Sequence, residues 1–301
     1  MKLISLLGTQ PILNLMAIRA LQPEEILFVG TRDTHATAQH LQSLVGSQAI
    51  VHQSEIVDPY DAPFMIKAIN KKLRKLKWQA QETLFDLSGG SKLMFYAATE
   101  LAKAHESPAV DIERIGYRYR IRQIEFQDHQ IVMTRDEYLP TLISIADYLN
   151  CYLPGFQEDG FSRDAHGRVD IGGRFESAVY NTLAEHVDEV LAGVRPKGVA
   201  EQIEIDLIVR QGNNVGIIEA KTGVKKAGID QLDTAGNPHY LGDFLAKLLV
   251  TGRYLPRAHK ALATVQEIRV VELPGYNDHS GLSSQEQRIL VQAVQQALSG
   301  R

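Results

Sequence analysis

The chain has 301 residues, 44% hydrophobic and 23% charged, the make-up of an ordinary globular protein with length enough for two cores. Its formal net charge of -4 excludes a global pull toward nucleic acid, so any such contact must come from local patches. The single cysteine, Cys151, excludes an intrachain disulfide and a cysteine-built zinc site, and the apolar run in MKLISLLGTQP is too short for a signal peptide or membrane span; a cytoplasmic protein without membrane contact is expected.

The first part alternates strand and helix. KLISLLG predicts a strand, ILNLMAIRAL a helix, EILFVG a strand and HATAQHLQSLV a helix. AIVHQSEIV and ETLFDLS predict further strands, each followed by a helix, PFMIKAINKKLRKLK and KLMFYAATELAKAH. Apolar strands alternating with helices specify a mostly parallel sheet covered on both faces. VDIERIGYRYRIRQIEF and HQIVMT then predict antiparallel strands that close this domain.

Three loops fall at the carboxyl ends of parallel strands, where open α/β sheets bind ligands. They are Gly8-Thr9-Gln10, Gly30-Thr31-Arg32 and the Gly-rich stretch of Asp86–Lys92, DLSGGSK. The last opens a helix, so backbone amides at Gly89–Lys92 and the helix dipole attract anything negative. It lacks the spacing of a Walker A loop.

A connecting helix is expected around Glu137–Leu153, followed by the glycine-rich, charged linker GFQEDGFSRDAHGRVDIGG. This divides the chain into 1–139, a connecting segment 140–171 and a second domain 172–301. The second domain opens with a helix, RFESAVYNTLAEHVDEVL, in which Phe175, Val179, Leu183 and Val187 recur every four residues as a buried stripe. After the hairpin considered next come a helix around Gly228–Ala235, strand AKLLVTG, helix HKALATVQE, strand IRVVEL and helix SSQEQRILVQAVQQAL.

The hairpin is EIDLIVRQGNNVGIIEAK, Glu204–Lys221. Gln211–Asn214 is turn chemistry, and period-two alternation marks a strand on either side. A two-residue loop at Gly212–Asn213, or a four-residue loop over Gln211–Asn214, sets Leu207 opposite Ile218, Asp206 opposite Glu219 and Glu204 opposite Lys221. A one-residue slip would pair an apolar face with a charged one. In this register the Cβ atoms of Asp206 and Glu219 come within roughly 5 Å, where two carboxylates repel. A divalent cation between them converts that repulsion into binding. A solvent-facing hairpin with a surface Glu204–Lys221 ion pair is the plain alternative.

The order helix, acidic hairpin ending in Glu219-Ala220-Lys221, helix, strand resembles the PD-(D/E)XK nuclease superfamily over about residues 172–270. Asp206 matches the D of the motif, although Ile205 stands where many members have proline. The resemblance implies metal-assisted phosphodiester hydrolysis, with Mg²⁺ or Mn²⁺ on Asp206 and Glu219 and Lys221 stabilising developing charge. It also implies Glu176 as an accessory acid beside the metal and Gln231 as a polar residue on the following helix.

In the first part, Asp86-x-Ser88-x-x-x-Lys92 resembles the D-x-[ST]-x-x-x-[RK] motif of CRISPR-associated Rossmann-fold (CARF) domains, over about residues 1–135. That resemblance implies a cyclic oligoadenylate, cyclic tetra-adenylate in preference to the hexamer, bound across the two-fold axis of a homodimer. Its contacts are expected from Thr9, Gln10, Thr31, Ser88, Gly89, Gly90, Ser91 and Lys92, with Asp86 structural because a carboxylate repels phosphate.

The expected fold is therefore α/β, an N-terminal Rossmann-like (CARF) parallel sheet followed by a restriction-endonuclease-like α/β domain. The order resembles that of effector nucleases of type III CRISPR defence, which implies an activated endonuclease acting on DNA, RNA or both. Two rivals stay open: a regulator whose second domain binds nucleic acid without cutting, and a ring nuclease that degrades its own activator. A HEPN ribonuclease motif, Arg253-x5-His259, is set aside because Pro256 interrupts it between strand and helix. The basic helix IKAINKKLRKLKW is expected to be a solvated amphipathic face, and Arg118, Arg120 and Arg122 share one strand face.

Overall fold

Apolar strands that alternate with amphipathic helices bury both faces only if the helices fold back over them, and the first unit is built that way. The computed structural model describes residues 1–127, 130–198, 203–223 and 227–300. The chain forms two compact units, Met1–Leu142 with Asn150–Tyr152, and Ile143–Leu149 with Leu153–Arg301.

The first unit runs β1 (Lys2–Leu6), α1 (Pro11–Leu21), β2 (Glu25–Gly30), α2 (His35–Val45), β3 (Ile50–Ile56), α3 (Ala62–Leu76), β4 (Thr83–Asp86), α4 (Lys92–Ala104), β5 (Ala109–Ile115), β6 (Arg118–Gln127) and β7 (Gln130–Tyr138). The strands lie in the order β3-β2-β1-β4-β5-β6-β7. Strands β1 to β5 pair in parallel, while β6 and β7 continue the sheet antiparallel. Ile4, Leu6, Leu27, Val29 and Phe85 pack with Met65, Ile69 and Leu73 of α3 and Met94, Ala97 and Leu101 of α4. Helix α3 thus buries its apolar stripe and leaves Lys67, Lys71, Arg74 and Lys75 exposed, as its periodicity requires.

The strand-face arginines are engaged within the sheet. Arg118 stacks 3.6 Å over the Tyr138 ring, Arg120 bonds both oxygens of Asp136, and Arg122 meets Glu113 at 2.5 Å. His129, at the start of the expected HQIVMT strand, lies outside the described residues.

The second unit takes up most of α5 (Ile145–Tyr152), then β8 (Phe156–Glu158), α6 (Ile171–Ala184), β9 (Glu189–Pro196), β10 (Ile205–Gln211), β11 (Asn214–Lys221), α7 (Ala227–Ala235), α8 (Pro238–Leu241), β12 (Ala246–Thr251), α9 (Arg257–Val265), β13 (Ile268–Glu272) and α10 (Ser284–Ser299). Its sheet order is β13-β12-β11-β10-β9-β8. The β8 to β11 pairs are antiparallel; β11, β12 and β13 pair in parallel. Phe175, Val179 and Leu183 of α6 and Leu290, Val294 and Leu298 of α10 close over Leu207, Val209, Ile218, Ala220, Leu248 and Val250. Helix α7 covers the other face, where a Cβ on Gly228 would sit 3.1 Å from Leu249 and 3.5 Å from the Glu219 side chain.

Two expected helices are shorter than predicted. The helix expected to run to Leu191 stops at Ala184, and Glu189–Pro196 instead forms β9 along β10. Val190, Ala192 and Val194 alternate toward the core, and pairing there gives β10 a neighbour on its outer side. Residues Glu137 and Tyr138 remain in β7, Pro140 follows, and α5 starts only after Ser144. There Ser144 and Asp147 exchange side-chain to backbone hydrogen bonds in a capping box. The stretch read as a linker contains β8, paired to β9, and a bridge between Arg163 and Val169. Among the described residues, no helix is long and apolar enough to cross a membrane.

Candidate functional site

In the second unit the hairpin adopts the register argued from the sequence. Leu207 faces Ile218, Val209 faces Gly216, and Gln211 pairs with Asn214 across the two-residue loop Gly212–Asn213. Gly212 has φ of +59°, a conformation that suits glycine. The ladder ends at Leu207–Ile218, one pair short of the acids. Beyond it, the Asp206 carboxylate itself accepts the Ala220 N–H at 2.8 Å. The strands are thus joined by a side chain at the point where the charged residues begin.

Lys221 lies between the two acids. Its Nζ is 3.1 Å from Asp206 Oδ2 and 2.5 Å from Glu219 Oε1. Glu219 Oε1 is buried, and the Lys221 ammonium is the group that meets it. Glu204, expected opposite Lys221, is paired with Arg195 at 2.9 Å, because Ile205 is registered against Val194 of β9 and this brings Glu204 beside Arg195. This leaves Lys221 to Asp206 and Glu219.

Glu176 projects from α6 and is 3% exposed. Both of its oxygens accept from one residue, Oε2 from the Ser162 N–H at 2.9 Å and Oε1 from the Ser162 hydroxyl at 2.7 Å. Gln231 is exposed on α7, one turn beyond Gly228, which packs against Glu219 and Lys221.

One ammonium cannot compensate three buried acids. Burial pushes the Glu219 carboxyl up to about 8, and the charge of Asp206 adds to the push. Burial likewise raises Asp206 against the opposing pull of Lys221 and the Ala220 N–H. Glu176 is raised by burial and by Asp206, with the Ser162 donors pulling the other way. Burial alone would depress Lys221, but Asp206 and Glu219 hold its pKa above the usual lysine range. The pocket therefore has more buried carboxylates than its one ammonium can match, a set of hard oxygens that suits a small divalent cation. Asp206 and Glu219 are the pair placed to hold it. Among the described residues, no group of three or more His, Cys, Asp or Glu side chains is gathered as a ligand set.

The first unit has its own constellation at the switch point of the sheet, between β1 and β4, where the strand order reverses. The loops that follow these strands touch backbone to backbone. A Cβ on Gly8 would lie 2.7 Å from the Gly90 nitrogen, and one on Gly89 would lie 2.2 Å from the Leu6 oxygen. Beneath them Asp86 is fully buried and accepts from Ser5 Oγ at 2.5 Å, Asn14 Nδ2 at 3.1 Å, Ser88 N at 3.0 Å and Ser88 Oγ at 2.6 Å. The Ser88 hydroxyl also accepts the Ile112 N–H at 2.8 Å, so this side chain ties β4 to β5.

Ser91 caps α4 by accepting the Met94 N–H, and donates to the Pro59 carbonyl. Thr9 and Lys92 are exposed at the rim. Gln10 Oε1 accepts from the Tyr152 hydroxyl at 3.0 Å. The Thr31 N–H donates to Thr34 Oγ1 at 2.9 Å in the loop after β2. Sequence reasoning missed Asn14 and Ser5, although an asparagine inside the apolar run ILNLMAI was a signal. It also missed Ser162, which bears no periodic relation to Glu176.

No protein-family model matches the sequence, and no curated protein matches it. Solved structures do match in fold. Can2 from Sulfobacillus thermosulfidooxidans, in complex with cyclic tetra-adenylate, superposes with a TM-score of 0.74 at 15% identity, covering 99% of both chains. Protein VC1899 from Vibrio cholerae superposes with a TM-score of 0.72 at 13% identity, covering 100% of this chain and 99% of that one. A type III CRISPR defence DNA nuclease activated by cyclic oligoadenylate gives 0.59 at 15% identity, over 85% of this chain and 46% of its own. The two mixed α/β sheets thus share the fold of these structures over the whole length of the chain.

Proposed function

We propose that the chain is a metal-dependent nuclease, cutting DNA or RNA in its second unit when a cyclic oligoadenylate binds its first unit in a homodimer. One observation carries this reading: two nearly fully buried carboxylates, Asp206 and Glu219, share a single ammonium at the splayed end of a hairpin. Burial of these carboxyls raises their pKa, and a divalent cation bound to them would take the place of the proton that Glu219 otherwise keeps.

Mg²⁺ or Mn²⁺ held by Asp206 and Glu219 supplies Lewis acidity toward a phosphoryl oxygen and a lower pKa for water. Lys221 stays protonated, because the two acids hold its pKa high, so it serves as a charge stabiliser and not as a general base. With the two carboxylates holding a cation, Lys221 would be the group available to stabilise negative charge on a phosphate. Glu176 adds negative charge from the adjoining helix.

For the first unit, the reading is supported by loops that bring Gly8, Gly89 and Gly90 to the surface of the switch-point crevice without side chains, with Lys92 beside them on the first turn of α4. Cyclic tetra-adenylate is the favoured ring, in keeping with the ligand of Can2. A two-fold symmetric ring requires half of its site from each protomer.

The test is a cleavage assay on plasmid, single-stranded DNA and RNA with Mn²⁺ or Mg²⁺, with and without each cyclic oligoadenylate. Cutting that needs both metal and ring is expected. Ring binding without cutting of any substrate would make the protein a regulator instead.

A further inference from the structure

We propose that Ser162 is a positioning residue of the carboxylate site, acting through Glu176 to set how the site takes up a divalent cation. The inference rests on the metal reading above and assigns a role to a loop that the reading does not use. All three polar groups of Ser162 are directed at the first turns of α6. Its N–H and hydroxyl donate to the two oxygens of Glu176 at 2.9 and 2.7 Å, and its carbonyl accepts the Asp170 N–H at 3.2 Å.

The loop that carries Ser162 is held against both flanking elements by close backbone approach. A Cβ on Gly173 of α6 would lie 2.2 Å from the Ser162 oxygen, and one on Gly193 of β9 would lie 1.9 Å from the Gly160 oxygen. The Asp159 N–H also donates to the Gly193 carbonyl at 2.8 Å. The turn at the far end of the loop is closed by Asp164, whose carboxylate accepts the His166 and Arg168 amides. Ser162 is therefore presented to Glu176 from a fixed backbone.

A carboxylate gripped at both oxygens is held in one orientation, and the two donors favour its charged form against burial and Asp206. If the hydroxyl is removed, Glu176 Oε1 loses its donor, and among the described residues the Lys221 ammonium is a cation that attracts it. A Glu176 that swings toward Lys221 competes with Asp206 and Glu219 for it and perturbs the charge balance that a bound cation meets. The grip of Ser162 prevents that exchange.

The experiment is a calorimetric Mn²⁺ titration of the full chain without nucleic acid, for wild type, Ser162→Ala, Ser162→Thr, Glu176→Gln and the Ser162→Ala/Glu176→Gln double variant. Ser162→Ala is expected to weaken Mn²⁺ binding about tenfold, as loss of an outer-sphere donor does, while Ser162→Thr stays within about twofold of wild type. In the Glu176→Gln background, Ser162→Ala should cause no further loss, because its effect passes through Glu176. Wild-type affinity in Ser162→Ala overturns the assignment, as does the same tenfold loss with or without Glu176, which marks a general loosening of the loop. A wild type that takes up no Mn²⁺ removes the metal reading and this inference together, whereas a binding wild type with an indifferent Ser162→Ala removes this inference alone.

Discussion

Replacing Glu219 by glutamine should stabilise the metal-free protein at alkaline pH. Glu219 is 2% exposed, and its carboxyl is raised from 4.5 to about 8, first by burial and then by Asp206. A raised carboxyl pKa means that the native state keeps a proton which the unfolded chain releases above pH 4.5. Stability contributed by this group is therefore present at low pH and is lost as pH climbs from about 4.5 through about 8. A displacement of that size is worth on the order of 5 kcal/mol.

Glu219→Gln removes that cost, in which the attraction of Lys221 is already included. The variant should then exceed wild type by about 5 kcal/mol near pH 9 and come close to it near pH 5. The assay is urea unfolding with EDTA across that range, followed by far-ultraviolet circular dichroism. Added Mn²⁺ should reverse the order, because only wild type retains both carboxylates and gains stability by mass action. Equal stability of the two proteins near pH 9, or an advantage of the variant that shrinks as pH rises, would refute the reasoning.

Lys221→Met should lower the cleavage rate by roughly 100-fold or more with little change in Mn²⁺ affinity, read by single-turnover kinetics beside calorimetry; unchanged turnover removes the lysine from the chemistry. Lys92→Glu should abolish activation by the cyclic oligoadenylate and leave Mn²⁺ uptake intact, since it reverses a charge at the rim of the crevice and lies in the other unit. Gly89→Ala should cost several kcal/mol or shift the loop, as its Cβ would stand 2.2 Å from the Leu6 oxygen and 2.8 Å from the Gly8 nitrogen. Both effects should appear as a lower melting temperature and weaker ring binding, and a neutral Gly89→Ala would show that the two loops separate freely.

The register of the hairpin was legible because alternation and a Gly-Asn turn permit one pairing that buries Leu207, Val209, Ile218 and Ala220 together. Its end was not, because alternation says nothing about where a backbone ladder yields to a side chain such as Asp206 accepting Ala220 N–H. Strand β9 was hidden by the same limitation: Val187 continues the four-residue spacing of α6, although the helix ends at Ala184. Only the need of β10 for a neighbour settles where the strand starts. The crevice loops were read from turn chemistry and strand order. The inward commitment of the Ser88 hydroxyl depends on Ile112, a partner 24 residues away, and is therefore a tertiary fact. Asp86 was read as structural on electrostatic grounds, and its four donors bear that out.

The two constellations stand where the sheets change character, and this follows from backbone geometry. In the first unit the chain leaves β1 to one side and β4 to the other, and the loops after these two strands meet backbone to backbone at the carboxyl ends, where such sheets take ligands. In the second unit β11 is antiparallel to β10 and parallel to β12, a central position with both faces covered. Uncoupling at the Leu207–Ile218 pair lets Asp206 turn its carboxylate onto the Ala220 amide, and Glu219 and Lys221 follow on the same face. A surface edge would have solvated the same three charges at little cost, and their repulsion would then have been too weak to demand a cation. Within the sheet each uncompensated charge is expensive, and on the proposed reading a cation is what relieves it.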